Sequence, residues 1–351
     1  MNKSERNNAI DVIKGIAIVL VVLGHCIQFG SGNDFLSGEA FYDSMLFKII
    51  YSFHMPLFML VSGFLGYKSI EKHGTRKHMV HQIRSQSIPI VTWSVILYVL
   101  KGISGSLSGG TLNLLKEYVW TFLGTLWFLW ALIMCSCVFC LLYSISKGKW
   151  WIHLLTILTF FVIPDRFNLV YFKFLYPYYV VGFYWNKQIS VNEGILYNMW
   201  TTVRRKRRAM ITGGLFWVAS FAGLLCFFNR DAFIYSTGVM IDFGNAPMRQ
   251  IGIDVYRWAI GYVGALIPIG TVTLIRKLTD CKWLAYFGAR SLGIYITNTY
   301  INLYVLKFIT WEFQFNWVML LIETILVTVI CCVFAELLRQ SKITKKLFLG
   351  R

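Results

Sequence analysis

Between Ile10 and Cys26 the chain reads IDVIKGIAIVLVVLGHC, an apolar run that nonetheless carries Asp11, Lys14 and His25. A helix crosses the hydrocarbon with about 20 such residues, and a charged side chain near its centre costs about 2.5–3.5 kcal/mol on insertion scales, so these groups are retained where they face protein or a water-filled cavity. At 100° per residue, the eleven steps from Lys14 to His25 make three turns and about 20° more. The two side chains therefore share a face, with Asp11 beside them, about 16 Å apart along the axis.

The rest of the composition agrees with a membrane setting. Of 351 residues, 57% are hydrophobic and only 14% charged, outside the range of soluble domains. Lys and Arg number 34 against 16 Asp and Glu, but they lie in short clusters between apolar runs rather than on one soluble face, which excludes nucleic acid as a partner. No small-residue cleavage site follows the first run, so it reads as a retained helix rather than a signal peptide. Most of the eight cysteines sit inside apolar runs, where they act as small hydrophobes. The Cys137 to Cys140 spacing has no second pair, and no metal is expected.

Apolar runs predict an all-α, polytopic helical bundle of about ten spans, near 10–29, 46–67, 85–101, 119–144, 150–164, 169–186, 209–228, 255–275, 284–305 and 316–338. The fourth is overlong and the fifth short, which predicts that one of them is broken or tilted. Alternate loops collect Lys and Arg, as cytoplasmic loops do: Lys3 and Arg6; Lys68, Lys72, Arg76, Lys77 and Arg84; Lys147 and Lys149; Arg204 to Arg208; Arg276, Lys277 and Lys282; Arg339, Lys342, Lys345 and Lys346. The opposite loops are acidic or mixed, with Asp34, Glu39 and Asp43 in the first and Arg230, Asp231, Asp242 and Arg249 in the fourth. Both termini are thereby expected in the cytoplasm, with 187–208 either an interfacial helix or simply a topology signal. Residues 1–351 form one expected membrane domain with a short basic tail, 339–351, in a bacterial plasma (inner) membrane.

Two layers of polar residues follow from this threading. In the second span, SFHMPLFMLVSGF places His54 at mid-helix, while Pro56 frees a carbonyl and Ser62 with Gly63 permits close helix approach. His54 lies near the depth of His25. The ninth span brings Tyr295, Asn298 and Asn302 to that level, and Glu323 joins them from the tenth. Toward the cytoplasm, Lys14, Arg84 and Arg290 make a basic layer suited to phosphates. Such layers suit a reaction between a cytoplasmic anionic thioester and a hydroxyl on the other face. A histidine takes the proton from the attacking hydroxyl and returns it to the leaving thiol, and a donor such as Asn298 or Tyr295 steadies the oxyanion.

These motifs have a family likeness. IDVIKGIAIVLVVLGH resembles the opening of the membrane acyltransferase type 3 family, and SFHMPLFMLVSGF, IRSQSIPIVTW, LWFLWAL, YPYYVVGF and FGARSLGIYITN follow in the family's order. KGIAI with LVVLGH most resembles the fucose 4-O-acetylase-like branch, which acetylates sugars of bacterial surface polysaccharides. The resemblance implies ten or so helices and acetyl transfer from acetyl-CoA to a carbohydrate hydroxyl of capsule, lipopolysaccharide or a lipid-linked glycan. It implies His25 as general base, Lys14 as its basic partner and Arg84 as a donor contact. Relatives often have histidine at the place of Asn298, and many have paired arginines where this chain has only Arg84 before Pro89. The hydrolase-like domain of some relatives is not expected after residue 338. Membrane lipids are expected partners, and a homodimer is compatible with the sequence.

Two other classes compete. A secondary transporter or polysaccharide exporter also keeps ionisable groups at mid-membrane, though no inverted repeat is visible. In a purely structural protein, His25 and His54 would only hydrogen-bond their neighbours. Trp127, Phe128 and Trp130 read first as an interfacial aromatic belt and only second as a sugar-stacking surface.

Overall fold

The computed structural model describes residues 8–29, 40–105, 107, 109–191, 207–243, 246–275, 281–302 and 316–351. Every regular element among them is helical. In chain order these are α1 (Asn8–Phe29), α2 (Met45–His73), α3 (Thr75–Ile103), α4 (Thr111–Gly124), α5 (Trp127–Ile145), α6 (Trp151–Phe160), α7 (Leu169–Val191), α8 (Arg207–Cys226), α9 (Pro247–Ile275), α10 (Lys282–Ala289), α11 (Ser291–Tyr300), α12 (Trp317–Gln340) and α13 (Lys342–Leu349), with short turns at Ala40–Asp43 and Ile234–Thr237. The cationic residues Lys3, Arg6, Arg204, Arg205, Lys206, Arg276 and Lys277, the acidic Asp34 and Glu39, and most of 187–208 lie outside the described residues.

Six of these helices are long and apolar enough to cross a bilayer: Asn8–Gln28, Met45–His73, Thr75–Ile103, Trp127–Ile145, Pro247–Thr273 and Trp317–Gln340. The other expected spans depart for separate reasons. Span 119–144 divides into α4 and α5, because Leu126 takes a left-handed backbone, φ 52°. Its second half is one of the six. Helix α6 has ten residues, about 15 Å at 1.5 Å each against a hydrocarbon core of about 30 Å. Helix α7 is long enough, but Lys173, Asn186, Lys187 and a run of tyrosines dilute its apolar character. In α8 the apolar stretch with described side chains is Thr212–Leu225. Span 284–305 breaks at Arg290 into α10 and α11. The expected tail 339–351 is not loose chain, since most of it forms the end of α12 and then α13.

Lipid-facing surfaces are recognisable by composition. On α12, Leu321, Ile325, Val329 and Val333 form an exposed stripe four residues apart, while Glu323, Val327 and Cys331 face inward. Inside, two crossings depend on glycine. A Cβ at Gly63 of α2 would fall on the Tyr179 carbonyl of α7, and one at Gly182 on the Leu60 carbonyl. The same reciprocity joins α1 to α10: Gly15 lies against the Leu284 carbonyl and Gly288 against the Asp11 carbonyl. Close backbone approach of this kind is how helices gain dispersion contact where no hydrophobic effect drives them together.

The loops sort to two ends. At the basic end Ser144 donates to Thr75 Oγ1 (3.0 Å) and Tyr184 to the Gly148 carbonyl (3.2 Å), which gathers the α2–α3 corner, the α5–α6 corner and the end of α7. At the other end Tyr42 packs on Phe233 (ring centroids 5.0 Å apart) and Tyr235 (5.9 Å).

Candidate active site

Two cavities enter the bundle from opposite ends and share a wall. The larger, about 550 Å³, lies toward the aromatic end and is lined by His25, His54, Tyr51, Trp127, Tyr235 and Tyr300 among others. The smaller, about 290 Å³, lies toward the basic end and is lined by Lys14, Ser62, His78, His81, Gln86 and Arg351 among others. Met55 and Tyr295 line both. Pairing depths thus place Lys14 in one chamber and His25 in the other, on one face of α1.

The state of the two imidazoles follows from their partners. Asn298 Nδ2 donates to the carbonyls of Ile294 (2.9 Å) and Tyr295 (2.8 Å). That fixes which end of the amide is nitrogen, so the oxygen facing His25 Nδ1 at 2.5 Å is an acceptor. In the neutral ring Nδ1 must carry the hydrogen, and Nε2 is the basic nitrogen. His54 reaches the same tautomer by another route: its Nδ1 lies 2.7 Å from the Ile50 carbonyl, and a carbonyl can only accept. The expected oxyanion role of Asn298 is therefore corrected, because both its N–H groups are committed to carbonyls and its oxygen orients His25.

Tyr295 stands at the wall the two cavities share. The backbone N–H of Phe128 donates to its hydroxyl oxygen (3.2 Å), and the phenol keeps its own hydrogen to donate. The break between α4 and α5 makes this contact possible. It starts α5 at the shared wall, where the first N–H groups of a helix have no partner within it and carry its positive dipole end. Trp127, expected in an interfacial belt, lines the larger cavity instead.

At the basic end, Lys14 Nζ stands 3.9 Å from Asp11 on the next turn, and Ser62 donates to the Phe58 carbonyl (2.8 Å) from the cavity wall. Arg84 and Arg290 do not join them. Arg84 is exposed on α3, and Arg290 pairs with Glu336 (2.6 Å) and lies over the Tyr286 ring. Neither lines either cavity. Glu323 is buried, its carboxylate oxygens have no hydrogen-bond partner among the described residues, and it lines neither cavity.

Residues not singled out from the sequence complete the site. His78 is buried where four helices meet, its ring within 2.8 Å of Ser69 and 3.2 Å of Ser136. At the other end, Arg257 of α9 spends five N–H groups on five acceptors: the carbonyls of Asp231, Ala232 and Gly238, Thr237 Oγ1 and Asp254 Oδ1, all within 3.0 Å. Asp165 accepts from the backbone of Val239 (2.6 Å) and Met240 (2.7 Å) while pairing with buried Lys173 (2.6 Å). These groups pin the segment from Ala232 to Met240, whose Phe233 and Tyr235 roof the larger cavity. The Asp254–Arg257 spacing, three residues apart in an apolar helix, is the signal that would have found it.

The bundle of helices long and apolar enough to cross a membrane thus holds two chambers, one lined by His25 and His54 and the other by Lys14 and Arg351. The profile of the family described as "Acyltransferase domain" matches residues 7–336, and the chain belongs to this acyltransferase 3 family. Nodulation protein NolL of Mesorhizobium japonicum is 26% identical over 246 residues, 68% of this chain and 61% of its own length. NolL of Sinorhizobium fredii is 28% identical over 245 residues, 68% and 62% respectively. The matched part thus spans about three fifths of these curated relatives. No solved structure matches the chain.

Proposed function

We propose that this acyltransferase moves an acetyl group from cytoplasmic acetyl-CoA to a hydroxyl of a cell-surface or lipid-linked carbohydrate, in a bacterial plasma membrane. The observation that supports the reading is the shared wall at Met55 and Tyr295 between a chamber lined by Lys14 and Arg351 and one lined by His25 and His54. With the basic end in the cytoplasm, the thioester arm enters past Lys14 and the acceptor enters from the far side. Ring faces of Tyr51, Trp127 and Tyr300 suit the apolar face of a sugar, and their polar edges suit its hydroxyls.

Nε2 of His25 removes the proton from the acceptor hydroxyl as its oxygen attacks the thioester carbonyl, and then protonates the leaving thiol. The Tyr295 hydroxyl donates to the oxyanion. His54 faces the same chamber and holds a second basic nitrogen near the acceptor. The test is to incubate membranes with radiolabelled acetyl-CoA and the host glycan. Label is expected on sugar hydroxyls with wild type and to be lost with His25→Ala; equal labelling by both rejects the base assignment, and no labelling by wild type rejects the reaction.

A further inference from the structure

Helix α13 turns back from α12 at Ser341, whose hydroxyl caps it by accepting from Ile343 N–H (3.2 Å). It then lies along α3. Trp93 of α3 donates to the Phe348 carbonyl (3.2 Å) and packs its ring on Phe348 at 5.6 Å. Leu349 is buried. Gly350 ends the helix in a left-handed conformation, φ 66°, pressed so closely on the Ser85 carbonyl of α3 that no Cβ fits. Its N–H and that of Arg351 return to the carbonyls of Lys346 (3.0 Å) and Lys345 (3.3 Å). This anchored segment delivers Arg351 to the smaller cavity, beside Lys14, His81 and Gln86. The family match ends at residue 336, so the segment lies outside the shared family domain.

The smaller cavity, about 290 Å³, brings Arg351 beside Lys14, so a phosphate held there meets two cations. A guanidinium offers two parallel donors to a phosphate, which an ammonium does not.

We propose that Arg351, held in place by α13, binds the phosphate on the pantetheine arm of the donor and selects phosphorylated thioesters over unphosphorylated ones. This rests on the thioester reading above. The phosphate belongs either to coenzyme A or to a phosphopantetheine carried on a protein, and the donor series below separates them.

The test compares wild type, Arg351→Gln and Arg351→Lys with acetyl-CoA, S-acetyl-4′-phosphopantetheine and S-acetylpantetheine. Loss of a charge-assisted hydrogen bond predicts that Arg351→Gln raises KM for both phosphorylated donors about tenfold, with kcat within about twofold. Arg351→Lys should recover part of the loss, and S-acetylpantetheine should be used equally by all three proteins. A rise confined to acetyl-CoA assigns Arg351 to the distal phosphates and overturns contact with the arm. A KM unchanged for every donor, or raised equally with S-acetylpantetheine, overturns the proposal while leaving acetyl transfer intact. No transfer by wild type from any of the three overturns both.

Discussion

His25 and Asn298 lie 273 residues apart in sequence and 2.5 Å apart in space, and the asparagine dictates which imidazole nitrogen is basic. Replacing the amide by a side chain that cannot accept releases the ring to its other tautomer. Asn298→Ala is expected to lower kcat by about 10²–10⁴, the span general-base catalysis contributes, with KM for both substrates little changed. Asn298→Asp keeps the acceptor and should retain more activity than Asn298→Ala. The reverse order in a membrane acetylation assay would remove Asn298 from the orienting role.

Tyr295→Phe removes one oxygen and keeps the ring packed against Phe128, whose centroid lies 5.9 Å away. Loss of an oxyanion donor costs about 10²–10³ in kcat in other enzymes, and a drop of that order is expected here. A wild-type rate from the phenylalanine variant would show that the charge develops elsewhere.

Lys14→Ala is expected to raise KM for acetyl-CoA more than it lowers kcat, because Lys14 lines the donor chamber and His25 the other. Arg84→Ala provides the contrast. Its exposed side chain lines neither chamber, so the donor KM should stay put; a larger rise for Arg84→Ala than for Lys14→Ala would invert the assignment.

Arg257→Met removes a donor from each of five acceptors, leaving Gln250 to reach Asp254 and the Gly238 carbonyl and Thr237 to reach the Asp231 carbonyl. Removing one member of a buried pair costs about 3–5 kcal/mol. The roof from Ala232 to Met240 should loosen, seen as a lower melting temperature in detergent and faster proteolytic cleavage near Gly238. Unchanged melting and unchanged cleavage would contradict the pinning role.

How far these features were legible beforehand differs by kind. The order of residues along a helix can be read from the chain, since each adds a fixed rise, and Lys14 and His25 of one helix line different cavities. The face a side chain takes depends on which helix lies next to it, and there Arg84 and Arg290 were misplaced. The unusual length of span 119–144 forecast a break, but its position rests on Leu126, a non-glycine residue in a left-handed conformation, which no local pattern announces. Arg257 escaped notice because its partners come from a loop that only tertiary structure brings over it. The helix count departs for a similar reason: α6 and α10 are apolar but short, and what they span is set by neighbours rather than by composition.

The partition formed by Met55 and Tyr295 also bears on kinetic order. On the reaction proposed above, each reactant has its own chamber, so the thioester need not depart before the alcohol arrives and no acylated side chain has to wait between them. Double-reciprocal plots at several fixed donor concentrations should therefore converge on a point; a parallel set would mean that acetyl is parked on the protein midway.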